Sequence, residues 1–287
     1  MTDRQRPAWP ELDARLGRLV PEAAAHGVTL SIVVHDLSGT YHGAAARAGS
    51  NETVKGASLV KLPVLVLLMD RVDHGEVDLD ALVTIPAGSP NIVGGAGTLR
   101  HRAFPLEVGV RGLAELMVQV SDNTATNALI DVVGGVTAVD DHMAGLGFGT
   151  LHMGRKLIHP AGPPLRENYV DAGEVTELLT RIWEGTILSR ASSDHVIGLM
   201  RGQLVDTKYG AVIPRQHLAN KTGELDDVSH DAGFILLPGR EVALTTTTAF
   251  SGIPRRRADA YVQQSATIVY ELLHEPLPRG RGRSTRR

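Results

Sequence analysis

The 287-residue sequence contains no cysteine, which excludes disulfide bonds, thiolate metal ligands and a cysteine nucleophile. Aromatic residues make up only 4% of the chain, so few side chains are available to stack on bases or sugars. Acidic and basic side chains nearly balance, at a formal net charge of -3, and we expect no nucleic-acid partner. The hydrophobic content of 43% is typical of a globular protein with a sizeable core.

Long apolar runs are also missing. The longest, LVKLPVLVLLM, is too short to span a membrane and is interrupted by Lys61. The first residues lack the apolar stretch of a secretory signal, so we expect a cytoplasmic protein without a membrane partner. The 12 histidines show no ligand spacing such as H-E-x-x-H, and we expect no metal and no other cofactor. The sequence does not indicate an oligomeric state.

Hydrophobic periodicity predicts a helix, two strands, a helical block, three strands and a final helix. This order predicts an α+β fold in which an antiparallel sheet, flanked by the terminal helices, carries an inserted all-α lobe. We expect residues 1–56 and 206–287 to form the sheet lobe, with a disordered basic tail at 275–287, and residues 57–205 to form the helical lobe. The active site would lie in the cleft between them. The predicted helices are Trp9–Ala25, Leu59–Val72, Arg111–Val120, Thr124–Val133, Val136–Leu146, Ala172–Glu184, Ser192–Gln203 and Arg255–His274, and the strands are 28–37, 40–46, 218–221, 230–237 and 241–249.

The pair Ser58 and Lys61 stands at the start of a strongly apolar helix. Residues three apart share a helix face, so the spacing predicts that the hydroxyl and the amine approach hydrogen-bonding distance. Serine is a weak nucleophile until a base removes its proton, and a desolvated lysine can be that base. An exposed lysine beside a capping serine is the ordinary alternative, but Lys61 lies among leucines and valines, where a lysine needs a polar partner.

Two further motifs stand at predicted element ends. Ser121-Asp122-Asn123 lies between two helices, where each of the three residues is also a common helix N-cap. Lys221-Thr222-Gly223 ends a strand, where it could equally form a simple turn.

Together these three motifs resemble the motifs of a known protein family. Ser-x-x-Lys, Ser-Asp-Asn and Lys-Thr-Gly, in this order, are the signature of class A β-lactamases and penicillin-binding proteins. The segments GASLVKLPVLVLLMDRV, LAELMVQVSDNTATNALID, KTGELDDVSHDAG and IVGGAGTLR are similar to family segments as well, and the resemblance covers about residues 28–274. It implies the serine β-lactamase-like fold and acyl transfer through a serine ester.

The resemblance also implies roles for individual catalytic residues. Ser58 would be the acylated nucleophile, and Lys61 the general base or part of a proton relay. Ser121 would pass a proton to the leaving atom. The backbone N–H groups of Ser58 and Glu224 would form the oxyanion hole.

Four further residues would bind the substrate, a small molecule that carries an acyl group. Asn123 would hydrogen-bond the amide of the acyl side chain. Lys221 and Thr222, followed by Gly223, would bind a substrate carboxylate.

The sequence departs from the family at the residue that activates the deacylating water. Class A β-lactamases carry Arg-x-Glu-x-x-x-Asn on a loop after Ser-Asp-Asn; here, after Arg155, Leu157 takes the place of the glutamate and Ala161 that of the asparagine. Two other residues could act as a base. His159 could do so near neutral pH, although a surface-loop histidine is the ordinary alternative. Glu167 could also do so, although an ion pair or cap that closes the loop is the simpler expectation.

Charge near the predicted oxyanion hole is a second departure. Glu224 follows the Lys-Thr-Gly motif, where a carboxylate would disfavour an anionic substrate or bind a cationic one. The facing strand lacks the arginine of many class A enzymes and has His230 and Asp231 instead.

Three functional hypotheses follow. The first is an intracellular serine hydrolase or acyltransferase that acts on a lactam, amide or ester, with a biosynthetic role in secondary metabolism. The second is a β-lactamase with an unusual water-activating group. The third is a penicillin-binding or sensor-like module that acylates once or only binds.

Overall fold

A five-stranded antiparallel sheet forms the centre of the fold, with the strand order β2-β1-β9-β8-β7. The computed structural model describes residues 9–41, 45–158 and 166–275. The helices are α1 (Trp9–Ala25), α2 (Lys61–Asp73), α3 (Val110–Gln119), α4 (Asn123–Val132), α5 (Val136–Gly145), α6 (Ala172–Glu184), α7 (Arg190–Arg201), α8 (Tyr209–Val212) and α9 (Arg255–His274). The strands are β1 (Val28–Asp36), β2 (Ala45–Ala48), β3 (Val54–Lys55), β4 (Leu82–Ile85), β5 (Leu106–Gly109), β6 (Tyr169–Val170), β7 (Leu218–Glu224), β8 (Ser229–Ile235) and β9 (Val242–Phe250).

Both faces of the sheet are covered, because alternate strand residues point to opposite sides. Leu30, Ile32 and Leu244 belong to a core that they share with α1 and α9. Ala232 and Phe234 belong to the other core, which continues into the helical region. Helix α6 packs directly against β1, β8 and β9, so one helix from the predicted helical lobe covers the sheet.

Helix α2 is buried over most of its length, including all nine residues from Lys61 to Met69. A helix that is apolar on all sides must lie inside a protein. Helices α3, α4, α5 and α7 pack around it. Because α2 is buried, its first residue, Lys61, also lies inside the protein.

The predicted α+β fold with an antiparallel sheet and flanking terminal helices is confirmed. The all-helical character of residues 57–205 is not complete, because β4 pairs with β5 and β3 pairs with β6. These strands were not predicted, since each has only two to four residues, too few to show an apolar pattern. The division into two lobes stays a prediction, and the tail from residue 276 lies outside the described residues. Within the described ranges, the helices are too short or too polar to cross a membrane.

Candidate active site

Ser58 lies in the 3₁₀ turn Ala57–Val60, which runs directly into α2. The residue before it, Ala57, has a φ of 45°, a left-handed conformation that is costly for a residue with a side chain. Ser58 is half-buried and faces a cavity of about 950 Å³. This volume is in the range of small-molecule sites. The cavity is lined by Lys55, Ala57, Ser58, Gly95, Ala96, Val120, Ser121, Asn123, Arg155, Leu157, Ile158, Glu167, Asn168, Val205, Thr222, Glu224, Leu225, Asp226, Asp227 and Arg255.

The amine of Lys61 is buried and turned towards the Ser-Asp-Asn motif. Its Nζ donates to the Ser121 carbonyl oxygen at 2.6 Å, to Ser121 Oγ at 3.0 Å and to Asn123 Oδ1 at 2.9 Å. Among the described residues, Ser58 Oγ makes no hydrogen bond to Lys61, so the contact predicted from their spacing is not formed. The reason is that three acceptors from residues 121–123 already engage the amine. Hydrogen bonds to a nucleophile often tighten only when substrate binds.

A second buried amine reaches the same hydroxyl. Lys221 Nζ donates to Ser121 Oγ at 3.0 Å and to the Thr222 carbonyl oxygen at 2.8 Å. Ser121 has a φ of 55°, so its backbone is held in the left-handed region. Because a hydroxyl has two acceptor lone pairs and one proton, two donating amines leave the Ser121 proton for a third group.

Burial lowers the pKa of both amines. The pKa of Lys61 lies well below its ordinary value, first because of desolvation and then because of the charge of Lys221. Burial, opposed by Asp231 and aided by Lys208, lowers the pKa of Lys221 to about 7. Unprotonated amine is therefore accessible near neutral pH, as a general base requires.

The loop at residues 94–99 is tied to the Ser-Asp-Asn motif. Asp122 Oδ2 accepts hydrogen bonds from the backbone N–H groups of Thr98 and Leu99, each at 2.7 Å. Asn123 Nδ2 donates to the Gly94 carbonyl oxygen at 3.0 Å. These bonds fix one wall of the cavity and hold the Asn123 amide between this loop and Lys61.

Strand β7 passes close to the turn that holds Ser58. A Cβ atom placed on Gly223 would lie 3.2 Å from the backbone nitrogens of both Ser58 and Leu59. A glycine therefore permits the close approach. The backbone of Glu224, the next residue, is thereby held near the N–H of Ser58, the two groups predicted to form the oxyanion hole.

The Glu224 carboxylate is paired, which the sequence did not indicate. Lys208 Nζ donates to Glu224 Oε2 at 2.9 Å, and Arg255 lies 3.7 Å from Oε1. Burial alone would raise the pKa of Glu224, but the hydrogen bond and charge of Lys208, helped by Arg255, lower it. The rarity of lysine, only five in the chain, was the one sequence signal that could have singled out Lys208.

His230 and Asp231, which the sequence placed opposite the motif, do not line the cavity. Both are fully buried. Burial lowers the pKa of His230 to about 4 and raises that of Asp231 to about 6. His230 contacts the Lys55 carbonyl oxygen, and Asp231 accepts hydrogen bonds from Asn220. Both residues belong to β8 and make contacts within the protein.

Leu157 is buried and lines the cavity from a loop held by polar contacts. Asn127 bonds both the N–H and the carbonyl oxygen of Leu157, at 2.9 and 3.1 Å. Arg155 forms an ion pair with Glu167 at 2.9 Å, the expected alternative to a free base. His159 and Ala161 lie outside the described residues, so their predicted positions stay untested.

The structure therefore brings all eight predicted site residues together around one cavity, although their roles in catalysis stay predictions. Lys61, Lys221 and Gly223 form its supporting layer. Ser58, Ser121, Asn123, Thr222 and Glu224 line it directly.

Comparison with known proteins identifies the family. A model described as the β-lactamase enzyme family matches residues 11–273. The chain belongs to this family. It is 26% identical to the extended-spectrum β-lactamase PER-1 of Pseudomonas aeruginosa over 238 residues, which are 75% of this chain and 73% of PER-1.

Solved structures of the family share the fold. A β-lactamase from Sphaerobacter thermophilus superposes with a TM-score of 0.82 at 25% identity, covering 91% of this chain and 97% of the other. PBP-A, in a leucine-to-glutamate variant solved as an acyl-enzyme complex with penicillin G, gives 0.80 at 26% identity, covering 91% and 96%. The predicted membership of the class A β-lactamase-like family is confirmed.

The close approach at Gly223 predicts the effect of Gly223→Ala. The added methyl group must push β7 away from the turn of Ser58 by a few tenths of an ångström. We expect acylation of the protein to slow by about 10-fold or more, since small displacements of reacting groups are costly. Intact-mass measurement of the adduct over time would check this. Gly17→Ala, at an exposed position of α1 with no atom within 4 Å of the added methyl group, is the control, and an unchanged acylation rate in Gly223→Ala would contradict the expectation.

The lowered pKa values predict a bell-shaped dependence of acylation on pH. The rate should rise as Lys61 loses its proton, well below the ordinary pH range of lysine, and fall as Lys221 loses its charge near pH 7. Lys61→Arg should lose most acylation at every pH, since guanidinium stays protonated. Lys156→Arg, whose parent amine pairs with Asp131 outside the cavity, is the matched control. Equal rates for Lys61→Arg and the unsubstituted protein would show that Lys61 is not the base.

Proposed function

We propose that this protein is a serine hydrolase or acyltransferase that forms an acyl-enzyme on Ser58 with a small lactam, amide or ester. The observation that carries the proposal is the meeting of two buried amines, Lys61 and Lys221, on the single hydroxyl of Ser121. This arrangement lies at the wall of the cavity that Ser58 faces. It supplies a base and a proton donor beside a nucleophile, which acyl transfer needs.

In the proposed first half-reaction, the proton of Ser58 Oγ passes to the unprotonated amine of Lys61. The oxygen attacks the substrate carbonyl carbon, and the resulting oxyanion is held by the N–H groups of Ser58 and Glu224. The bond to the leaving nitrogen or oxygen then breaks. Ser121 donates its proton to that atom and is reprotonated from Lys61, so the product is an ester on Ser58.

We propose that the second half-reaction lacks the glutamate that class A β-lactamases use as the base. We propose that Leu157 stands where related enzymes place a glutamate, and a hydrocarbon side chain cannot activate water. Glu167 is neutralised by Arg155 at 2.9 Å, which makes it a poor substitute. We therefore propose that the acyl group passes mainly to an acceptor other than water, as in a biosynthetic acyl transfer, and that hydrolysis is slow.

A non-turnover binding module is the second candidate. The same observation favours it, since a protein that acylates but cannot deacylate would retain its ligand. Release of acyl product over repeated cycles in the presence of small nucleophiles distinguishes a transferase from such a module.

The assignment of the nucleophile predicts that Ser58→Ala abolishes covalent labelling by acylating probes such as penicillins. Because Ser58 Oγ has no hydrogen-bond partner among the described residues, the change should alter the free energy of unfolding by less than about 1 kcal/mol. Intact mass and thermal unfolding would check both points. Ser50→Ala, at an exposed serine, is the control. An adduct that persists in Ser58→Ala would overturn the assignment.

The position of Leu157 predicts that acylation and deacylation are uncoupled. With a chromogenic cephalosporin, we expect a long-lived adduct in the unsubstituted protein and little steady-state hydrolysis. Leu157→Glu should raise hydrolysis by 10-fold or more, on the order of what a general base contributes. PBP-A gives a precedent for replacing a leucine by glutamate in this fold.

The matched control is Leu157→Gln, which has nearly the same shape but no carboxylate. Time-resolved intact mass alongside steady-state hydrolysis separates the two half-reactions. Rapid turnover by the unsubstituted protein without an accumulated adduct would overturn the interpretation of Leu157 and would favour the second hypothesis, a lactamase with another base.

A further inference from the structure

Among the described residues, every cationic side chain that lines the cavity is already paired with a carboxylate of the same chain. This matters because substrates with a carboxylate need an available cation to bind it. The three lining pairs are Lys55 with Asp227 at 2.5 Å, Arg155 with Glu167 at 2.9 Å and Arg255 with Glu224 at 3.7 Å.

Glu224 is the most firmly held of these carboxylates. Its second oxygen accepts from Lys208, whose side chain is 0% exposed, at 2.9 Å. A buried cation that loses its carboxylate partner is strongly destabilised, so Lys208 resists any displacement of Glu224. The lowered pKa of Glu224 agrees with a carboxylate that stays charged. Glu224 thus holds a carboxylate in the same cavity as Thr222, the residue that the sequence predicts to bind a substrate carboxylate.

The deeper amines do not replace these cations. Lys61 donates to three acceptors of the protein, and Lys221 to two. Burial also reduces the protonated fraction of both near neutral pH. Asp226 adds a negative charge, because it lines the cavity and has no ion pair or hydrogen bond within the described ranges. The cavity wall is therefore neutral to negative.

We propose that the natural acyl donor carries no carboxylate beside the scissile carbonyl and is uncharged or cationic at that position. This inference rests on the proposed acylation of Ser58. A carboxylate placed between Thr222 and Arg255 would face Glu224 at close range, and like charges in an interface disfavour binding. Glu224 is thus a specificity-determining residue that selects against anionic acyl donors.

Penicillin G and its methyl ester test the proposal directly, because they differ only in the carboxylate beside the lactam. For the unsubstituted protein, we expect the second-order rate of acylation, followed by intact mass, to be at least about 10-fold higher for the ester. A faster reaction with the free acid would overturn the proposal. This comparison requires no variant, so it holds whether or not a substitution disturbs folding.

Glu224→Gln tests the assigned residue. It keeps the shape of the side chain and leaves Lys208 and Arg255 without their carboxylate, so the ratio of the acylation rate of the free acid to that of the ester should rise by about 10-fold or more. Asp226→Asn is the matched control, since it removes the same charge from a carboxylate of the same cavity that has no ion pair with any described residue. An equal effect of the two variants, or no change in the acid-to-ester ratio in Glu224→Gln, would show that Glu224 does not set the preference.

The outcomes separate this inference from the proposed function. Acylation of Ser58 that favours the free acid contradicts the substrate class and leaves the acyl-enzyme mechanism standing. Absence of any adduct with either compound, in protein that unfolds cooperatively, contradicts the acyl-enzyme mechanism and the present inference with it.

Discussion

The paired contact of Lys61 and Lys221 with one hydroxyl, Ser121 Oγ, is the interaction on which the site depends. Burial, and after it the repulsion from the charge of Lys221, favours the loss of a proton from Lys61. The surrounding fold enforces this contact. Helix α2 carries Lys61 into the apolar core, and strand β7 carries Lys221 to the same point from the sheet.

Much of this could be predicted from the sequence, because it is encoded locally. Helices α1, α6 and α9 have the predicted bounds, since their apolar residues recur with helical period. The three motifs meet around one cavity, although Lys221-Thr222-Gly223 lies inside β7 and does not end the strand as the sequence predicted. The strands β4 and β5 could not be predicted in the same way, since each has only four residues and just one of the eight, Ile85, is buried.

The contacts that could not be predicted are tertiary ones. The pairing of Glu224 with Lys208 joins residues 16 positions apart, and no periodicity connects them. The expected hydrogen bond between Ser58 and Lys61 is not formed, for a related reason. Helical spacing correctly placed the two residues near each other, but the direction of the amine was decided by acceptors about 60 residues away.

Backbone strain and charge pairing act together in holding the site. Ala57 and Ser121 both adopt positive φ angles, at 45° and 55°. Such conformations persist only where the surroundings over-determine them. Around Ser121, those surroundings are the two lysine contacts and the hydrogen bonds of Asp122 to the loop at 94–99. The same network therefore offsets both the electrostatic cost of burying the amines and the conformational cost of the turns. A change in the geometry of the nucleophile should for this reason also change the pKa of the neighbouring amines.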